Sequence, residues 1–208
     1  MNITFLFNFQ YLILQQQLFS MSNLILFASG AGSNVQAIIN YFETSDTPVT
    51  IKCIVCNKPE AGVLKIAENH NIPVEMITKT SFNEAAFVAT MESYQPDMLI
   101  LAGFLWKIPE LLVKAFPNKI INIHPALLPK YGGKGMYGHH VHEAVVAAKE
   151  QESGITIHYV NEHYDEGATI VQAHCKVTSE DTPDDVAHKI HKLEHHFFPR
   201  TIEFLLKK

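Results

Sequence analysis

Apolar runs of strand length alternate with segments of helical periodicity along most of this sequence. The runs are continuous and rich in β-branched residues, as is typical of strands buried on both faces of a parallel sheet. This order predicts an α/β fold with an open, mostly parallel twisted sheet and helices on both faces. We expect strands over residues 23–28, 50–55, 73–77, 97–102 and 119–123, and helices over residues 33–43, 60–70, 81–94 and 108–116.

The pattern changes after residue 150. Two apolar runs, 154–160 and 168–173, are separated by only a short loop, so antiparallel strands are expected near the C-terminal end. A last helix is expected to begin near Thr182, a capping residue type, which is followed by Pro183 and two acids. No linker, repeat or composition break divides residues 22–208, so we expect a single domain there.

Residues 1–21 differ from the rest of the chain. Positions 1–20 carry no charged side chain, and they lack the basic start and small-residue cleavage site of a secretory signal. The longest apolar run is too short to span a bilayer. We expect an extension outside the fold, either disordered or a mis-assigned start. A membrane-surface segment is the alternative, which the absence of basic residues disfavours.

The composition limits the classes of partner. A chain of 208 residues with 47% apolar and 18% charged side chains can bury the core of one sizeable domain. The net charge of −5 argues against the basic surface that nucleic-acid binding requires. Cys53 and Cys56 lie three positions apart in one predicted strand and should face opposite sides, so a shared metal or disulfide is not expected. With Cys175, we interpret them as reduced thiols of a cytoplasmic protein.

A polar pair marks the end of the fifth predicted strand. Asn122 and His124 are two positions apart, so they point to the same side and can address one substrate atom together. Pro125 and Pro129 stiffen the exit from the strand. Open α/β sheets bind ligands at the carboxyl ends of their strands. A reaction centre is therefore favoured over the alternative, a buried core histidine whose ring nitrogens form hydrogen bonds with the backbone.

A glycine-containing turn joins the first predicted strand to the first helix. Its residues are Gly30, Ala31, Gly32, Ser33 and Asn34, whose backbone N–H groups can point at an anion beside a helix N-terminus. The third glycine of a dinucleotide motif is absent, as is the Gly-Lys-Ser/Thr of a nucleotide-triphosphate loop. A single phosphate is the favoured ligand, and a plain βα turn without a ligand is the alternative.

Two further features each have a functional and a purely structural interpretation. Asp165 lies beside a turn glycine and, by itself, is typical of a solvated loop acid, so a functional role requires that it contact His124. His188, His191 and His195 share one helix face, which could bind a metal. Their carboxylate or cysteine partners are not clearly arranged, so we favour a solvated face and expect no metal.

Four segments together resemble the formyltransferase family, specifically the folate-dependent members that act on phosphoribosylglycinamide. They occur in the same order and spacing as in that family, and the resemblance covers nearly all of residues 22–200. The trio of Asn122, His124 and Asp165 is common to the wider family. The His-Pro dipeptide and the phosphate loop narrow the match to the members that act on phosphoribosylglycinamide. The family implies a Rossmann-like fold. The segments are residues 30–34, 101–104, 122–131 and 158–167.

The resemblance implies a reaction. The formyl group of 10-formyltetrahydrofolate, a co-substrate, passes to the amine of 5-phosphoribosylglycinamide in de novo purine biosynthesis, by direct attack without a covalent enzyme intermediate. Asn122 would donate a hydrogen bond to the formyl oxygen in the tetrahedral intermediate. A protonated His124 would stabilise the same charge and move protons, and Asp165 would raise the pKa of His124.

The resemblance also implies binding residues. The loop of residues 30–34 would hold the substrate phosphate, and Glu194 would contact the glycinamide substrate. The chain departs from the family where Trp106 and Lys107 stand in place of an expected Arg, and where an Arg expected near Asn83 is absent. Residues assigned to the folate pocket are Leu105, Trp106, Lys107, Ile108, Asn122 and Asn83.

Several alternatives remain open. Formyltetrahydrofolate hydrolase and methionyl-tRNA formyltransferase share the trio but usually carry an additional domain. A non-catalytic nucleotide-binding module would keep the phosphate loop without giving a reason for the trio to converge. The glycine-rich loop 132–138 is either a mobile cover over the folate or a flexible crossing. We expect small-molecule substrates, no nucleic acid or membrane partner, and a monomer or weak homodimer.

Overall fold

A seven-stranded sheet organises residues 21–207, which the computed structural model describes. Its strand order is β3-β2-β1-β4-β5-β6-β7. Neighbours from β3 to β5 are parallel, whereas β6 pairs antiparallel with β5 and β7. The predicted fold class is confirmed. The strands are β1 (Ser22–Ala28), β2 (Val49–Cys56), β3 (Val74–Met76), β4 (Met98–Leu101), β5 (Ile120–His124), β6 (Glu152–Tyr159) and β7 (Thr169–Lys176).

Helices cover both faces of the sheet in the described residues. Buried side chains of α1, α2, α5 and α6 join one core cluster, and those of α3 and α4 join the other. A short 3-10 helix, Ser81–Asn83, precedes α3. The α-helices are α1 (Ser33–Phe42), α2 (Val63–Asn69), α3 (Ala85–Ser93), α4 (Glu110–Ala115), α5 (His139–Ala147) and α6 (Pro183–Leu206).

Alternation along the strands divides the core into two layers. Leu24 and Leu26 of β1 pack in one cluster, whereas Ile25 and Phe27 pack in the other. This is the period-two pattern of a strand covered on both faces. The two cysteines of β2 follow the same rule, because one lies in each cluster and both thiols are free. Their predicted separation across the sheet is confirmed.

Helix α5 was not predicted from the sequence. Its buried residues, Val141, His142 and Val145, include a pair four positions apart, which is the spacing of one helical face. The glycine-rich stretch before it and the three histidines in its first turns obscured this periodicity. The missed helix matters because it brings His142 into the interior.

The predicted extension over residues 1–21 lies, except for Met21, outside the described residues. Within residues 21–207, no helix is both long enough and apolar enough to cross a bilayer.

Helix α6 is fixed at both ends. The predicted Thr182 cap and Pro183 in the first turn are confirmed, and Thr182 and Asp185 together form a capping box at the start of the helix. Near its other end, the Glu203 carboxylate accepts hydrogen bonds from the hydroxyls of Tyr41, Ser45 and Thr47 at 2.6–2.7 Å. These bonds tie α6 to the last turn of α1 and to the segment that follows it. They also lower the pKa of Glu203 to about 2.

We expect Glu203→Gln to lower the free energy of unfolding by about 1–2 kcal/mol at pH 7, because three hydroxyls lose a charged acceptor. A carboxyl whose pKa is depressed by folding contributes stability above its unfolded pKa of roughly 4.3. That contribution disappears as the pH falls towards 2. Urea titrations at several pH values measure it. Glu180→Gln, at an exposed position, is the control and should match wild type.

Candidate active site

A cavity of about 720 Å³ opens at the carboxyl ends of β1, β4 and β5. Loops after these strands form one wall, and the segment before α5, the loop after β6 and helix α6 form the other. Parallel strands end at this edge of the sheet, so ligand-binding side chains converge there. All predicted site residues except Asn83 line it: Gly30, Ala31, Gly32, Ser33, Asn34, Leu105, Trp106, Lys107, Ile108, Asn122, His124, Asp165 and Glu194.

The antiparallel pairing of β5 with β6 places a second imidazole at the polar pair. Asn122 lies opposite His158, and its Nδ2 is 3.1 Å from the His158 Nε2. The His158 Nδ1 lies 2.9 Å from the Tyr159 carbonyl oxygen. A carbonyl only accepts, so Nδ1 carries a proton. In the neutral ring Nε2 then accepts from Asn122, whereas in the protonated ring Nε2 faces Asp165 as a donor. This arrangement fixes the orientation of the Asn122 amide.

Asp165 lies between two imidazoles. One carboxylate oxygen is 3.6 Å from the His124 Nδ1 and the other is 3.6 Å from the His158 Nε2. The Gly133 N–H donates to the same carboxylate at 2.9 Å. Burial acts to raise the pKa of Asp165, but the two histidines and the Gly133 N–H outweigh it, so the pKa is lowered. The contact with His124 that the sequence interpretation required is therefore present.

Burial decides the protonation of His124. Its Nε2 lies 2.7 Å from the Tyr131 carbonyl oxygen while its Nδ1 faces Asp165, so acceptors flank both ring nitrogens. Burial nevertheless lowers the pKa of His124, outweighing Asp165 and the Tyr131 carbonyl, which raise it. The predicted effect of Asp165 has the right sign. Desolvation is the larger effect, because only 3% of the residue is exposed.

The turn after β1 opens helix α1 towards the cavity. Gly32 has a φ of +82°, and a Cβ there would meet Val63 at 2.9 Å, so a side chain is excluded. Within the described residues, no side chain caps the first turn of α1. Its N–H groups are therefore available to an anion. The Asn34 Nδ2 donates to Glu194 at 3.1 Å, and the buried Asn34 Oδ1 has no hydrogen-bond partner in the described structure.

Helix α6 contributes a buried carboxylate and a histidine to the cavity. Glu194 lies 2.9 Å from the His191 Nδ1, and this hydrogen bond raises the pKa of His191 against the effect of burial. The predicted solvated histidine face is therefore only partly right, since His191 lines the cavity while His188 is exposed. No cluster of three potential metal-binding side chains occurs among residues 21–207.

The segment after β4 forms an aromatic wall. The Trp106 ring lies 6.0 Å from that of Phe82, between ring centroids, and the Leu105 N–H donates to the Ser29 hydroxyl at 3.0 Å. The Lys107 ammonium lies 5.9 Å from the centroid of the Tyr164 ring.

The predicted residue Asn83 does not line the cavity. It lies in the 3-10 helix, where its side chain donates to a backbone carbonyl one turn earlier.

Comparison with known proteins identifies the family. The family model for formyl transferases matches residues 22–202. The chain belongs to the formyl transferase family. It is 36% identical over 191 residues to phosphoribosylglycinamide formyltransferase of Bacillus subtilis, an alignment that covers 89% of this chain and 95% of the relative. The solved phosphoribosylglycinamide formyltransferase of Bacillus halodurans superposes with a TM-score of 0.82 at 32% identity, over 90% of this chain and 96% of that one.

Plant relatives are longer than this formyl transferase chain. The chloroplastic phosphoribosylglycinamide formyltransferase of Vigna unguiculata is 37% identical over 190 residues, which is 89% of this chain. The chain spans 61% of its length and 63% of the Arabidopsis thaliana relative.

Sequence reasoning missed two histidines of this formyl transferase site. His158 lies in one of the segments that resemble the family. Pairing β5 with β6 in the correct register would have placed it opposite Asn122. His142 depended on α5, which was not predicted. It is 3% exposed, and burial, with a smaller effect of His191, lowers its pKa to about 4.

We expect the pKa of His142 to lie below that of an ordinary histidine and the pKa of His191 to lie above it. His142 should remain neutral until the pH approaches 4, and His191 should protonate above pH 6.5. Ring-resonance titrations by NMR measure both, with His142→Gln and His191→Gln providing the assignments. Because folding lowers the pKa of His142, its contribution of about 3 kcal/mol is present above pH 6.5 and lost as the pH falls towards 4. A protonated His142 at pH 6 would contradict this expectation.

Proposed function

We propose that this chain transfers the formyl group of 10-formyltetrahydrofolate to the amine of 5-phosphoribosylglycinamide. The observation that carries the proposal is that Asn122, His124 and Asp165 meet in one cavity whose other end is the turn after β1. A phosphate-sized anion site and a proton-handling centre in one cavity suit a phosphorylated amine. The family membership and the names of the relatives support the same reaction.

The amine nitrogen would attack the formyl carbon, forming the new C–N bond as negative charge develops on the formyl oxygen. One N–H of the Asn122 amide is used by His158, which leaves the other for this oxygen. Collapse of the tetrahedral intermediate breaks the bond to N10 of tetrahydrofolate, which takes up the proton that the amine has lost. Holding both reactants in one cavity supplies the remaining acceleration.

His124 would act as the proton acceptor in this reaction. Its lowered pKa keeps the imidazole neutral near pH 7. Because Nε2 donates to the Tyr131 carbonyl, Nδ1 on the Asp165 side is the nitrogen that would take up the proton that the attacking amine loses. The ionised Asp165 beside it stabilises the imidazolium that results. The developing charge on the formyl oxygen favours the same protonated ring. The protonated His124 that the sequence led us to expect would therefore form during the reaction.

The two substrates would occupy opposite parts of the cavity. The phosphate of the glycinamide substrate would lie at residues 30–34, with Glu194 contacting the rest of that substrate. Leu105, Trp106, Lys107 and Ile108 would line the folate end, where the Trp106 ring provides an apolar wall. Asn83 is left out of the proposed folate site, since it does not line the cavity.

An absorbance assay with both substrates tests the proposal. We expect formyl transfer by the wild-type chain, and a kcat at least about a hundredfold lower for His124→Ala and for Asp165→Asn, with substrate binding retained. His174→Gln is the matched control, because this exposed strand histidine lies outside the cavity. Turnover close to wild type in either site variant would refute the assignment. Cofactor consumption without the ribonucleotide would indicate a hydrolase instead.

We further expect His158 to act by orienting Asn122. His158→Gln should lower kcat by about tenfold with little change in either KM, because the amide loses the acceptor that fixes its orientation. The double variant Asn122→Ala/His158→Gln should then be about as active as Asn122→Ala alone. Kinetic constants for the four proteins of this cycle measure the coupling. Fully additive losses would show that His158 acts through Asp165 or through the fold.

A further inference from the structure

The backbone carbonyl of Tyr131 decides which ring nitrogen of His124 is free. Two acceptors compete for the proton of the neutral ring: the Tyr131 oxygen lies 2.7 Å from Nε2, and an Asp165 oxygen lies 3.6 Å from Nδ1. Only the first distance is that of a hydrogen bond. The proton therefore stays on Nε2, and Nδ1 is unprotonated on the Asp165 side. Because a carboxylate accepts more strongly than a carbonyl, withdrawal of the Tyr131 oxygen would return the proton to Nδ1.

The backbone around Tyr131 does not hold that carbonyl by itself. Tyr131 has a φ of +56°, a conformation unfavourable to a residue with a side chain, and the two residues that follow it are Gly132 and Gly133. Glycines provide no side chain that could anchor the segment. Flanking anchors lie at Leu128 and at Gly133, whose N–H groups donate to side-chain oxygens. The carbonyl lies between these two points and needs an anchor of its own.

The Tyr131 side chain supplies this anchor. Its hydroxyl donates to the Glu150 carboxylate at 2.9 Å, and its ring packs against the core cluster that includes the buried side chains of α1 and α6. Glu150 is itself fixed, since its N–H donates to the Val145 carbonyl of α5 at 3.2 Å. The carbonyl of the next residue, Gln151, accepts from the Val177 N–H at 2.9 Å. The hydroxyl therefore ties Tyr131 to a rigid part of the framework.

We propose that Tyr131 is a positioning residue for formyl transfer, whose hydroxyl, held by Glu150, keeps its own carbonyl on the Nε2 of His124 and so leaves Nδ1 as the proton acceptor. This inference rests on the proposed function. Neither Tyr131 nor Glu150 lines the described cavity, so both act through His124 and not on a substrate. The proton that the amine loses bonds to Nδ1, which then donates towards Asp165 while Nε2 donates to the Tyr131 carbonyl. The same proton later leaves Nδ1 for N10 of tetrahydrofolate.

The tautomer of His124 tests the inference directly. In the full chain labelled with nitrogen-15 histidine, proton–nitrogen NMR correlations distinguish a protonated from an unprotonated ring nitrogen, and His124→Gln assigns the signals. The lowered pKa of His124 keeps the ring neutral near neutral pH. We expect the wild-type ring to carry its proton on Nε2. Tyr131→Phe keeps the aromatic ring but loses the hydroxyl, so its His124 should carry the proton largely on Nδ1, and Glu150→Ala should give the same shift.

Kinetic constants of the same variants separate positioning from a general loss of structure. We expect the kcat of Tyr131→Phe and of Glu150→Ala to fall about three- to tenfold with both KM values unchanged, as for loss of one hydrogen bond. The double variant should be no slower than either single variant, because both remove the same contact. Glu150→Gln should restore a kcat close to wild type, since its amide oxygen accepts from the same hydroxyl.

Lys130→Met is the matched control, because it removes the other partner of Glu150. The Lys130 ammonium lies 2.8 Å from the same carboxylate oxygen, and its side chain is 67% exposed. This variant should keep the His124 tautomer and the kcat of wild type. A loss of kcat equal to that of Tyr131→Phe would assign the effect to the ion pair and overturn the inference.

The tautomer readout is independent of formyl transfer. A wild-type His124 protonated on Nδ1 would overturn the inference, as would an unchanged tautomer in a Tyr131→Phe variant whose circular dichroism shows a retained fold. If the tautomer shifts as expected but the wild-type chain transfers no formyl group, the positioning of His124 stands and the proposed function fails. If the wild type transfers the formyl group and Tyr131→Phe has the same kcat, the proposed function stands and the inference fails.

Discussion

The pairing of β5 with β6 is the constraint on which the candidate site depends. Because the strands are antiparallel, the residue opposite Asn122 is His158 and the residue opposite His124 is Thr156. The Thr156 hydroxyl accepts from the Leu128 N–H and donates to the Ala126 carbonyl, which fixes the chain just after β5. A one-residue change of register would turn these side chains to the other face of the sheet. The site is thus set by backbone pairing before any side chain is considered.

Two carboxylates of low exposure organise the two ends of the cavity. Asp165 is held by two imidazoles and a backbone N–H, and Glu194 by an amide and one imidazole. A carboxylate withdrawn from water is stable only with such partners. Each cluster therefore fixes the orientation of an amide that lines the cavity: Asn122 through His158 at one end, and Asn34 through Glu194 at the other.

The sequence predicted the parts of this molecule that follow from periodicity. Continuous apolar runs located the parallel strands, and the period of two placed Asn122 and His124 on one side of β5. Helix α5 was missed because its apolar spacing is short and lies among histidines and glycines. The contact between Asp165 and His124 could not be deduced from the sequence and was only stated as a requirement for a functional role of Asp165. Residues 161–165 follow no regular pattern from which it could be derived. Asp165 itself has a φ of +56°, a conformation that a sequence pattern does not specify.

Protonation was the property least accessible from the sequence, because it depends on burial. His124 and His191 each face a carboxylate, yet the pKa of His124 is lowered and that of His191 is raised. The partner is of the same kind in both cases, so it cannot explain the difference. His124 is almost fully enclosed, whereas half of the His191 side chain is exposed. Desolvation therefore prevails at the first and hydrogen bonding at the second. The same kind of partner can therefore accompany a lowered pKa at one ring of a cavity and a raised pKa at another.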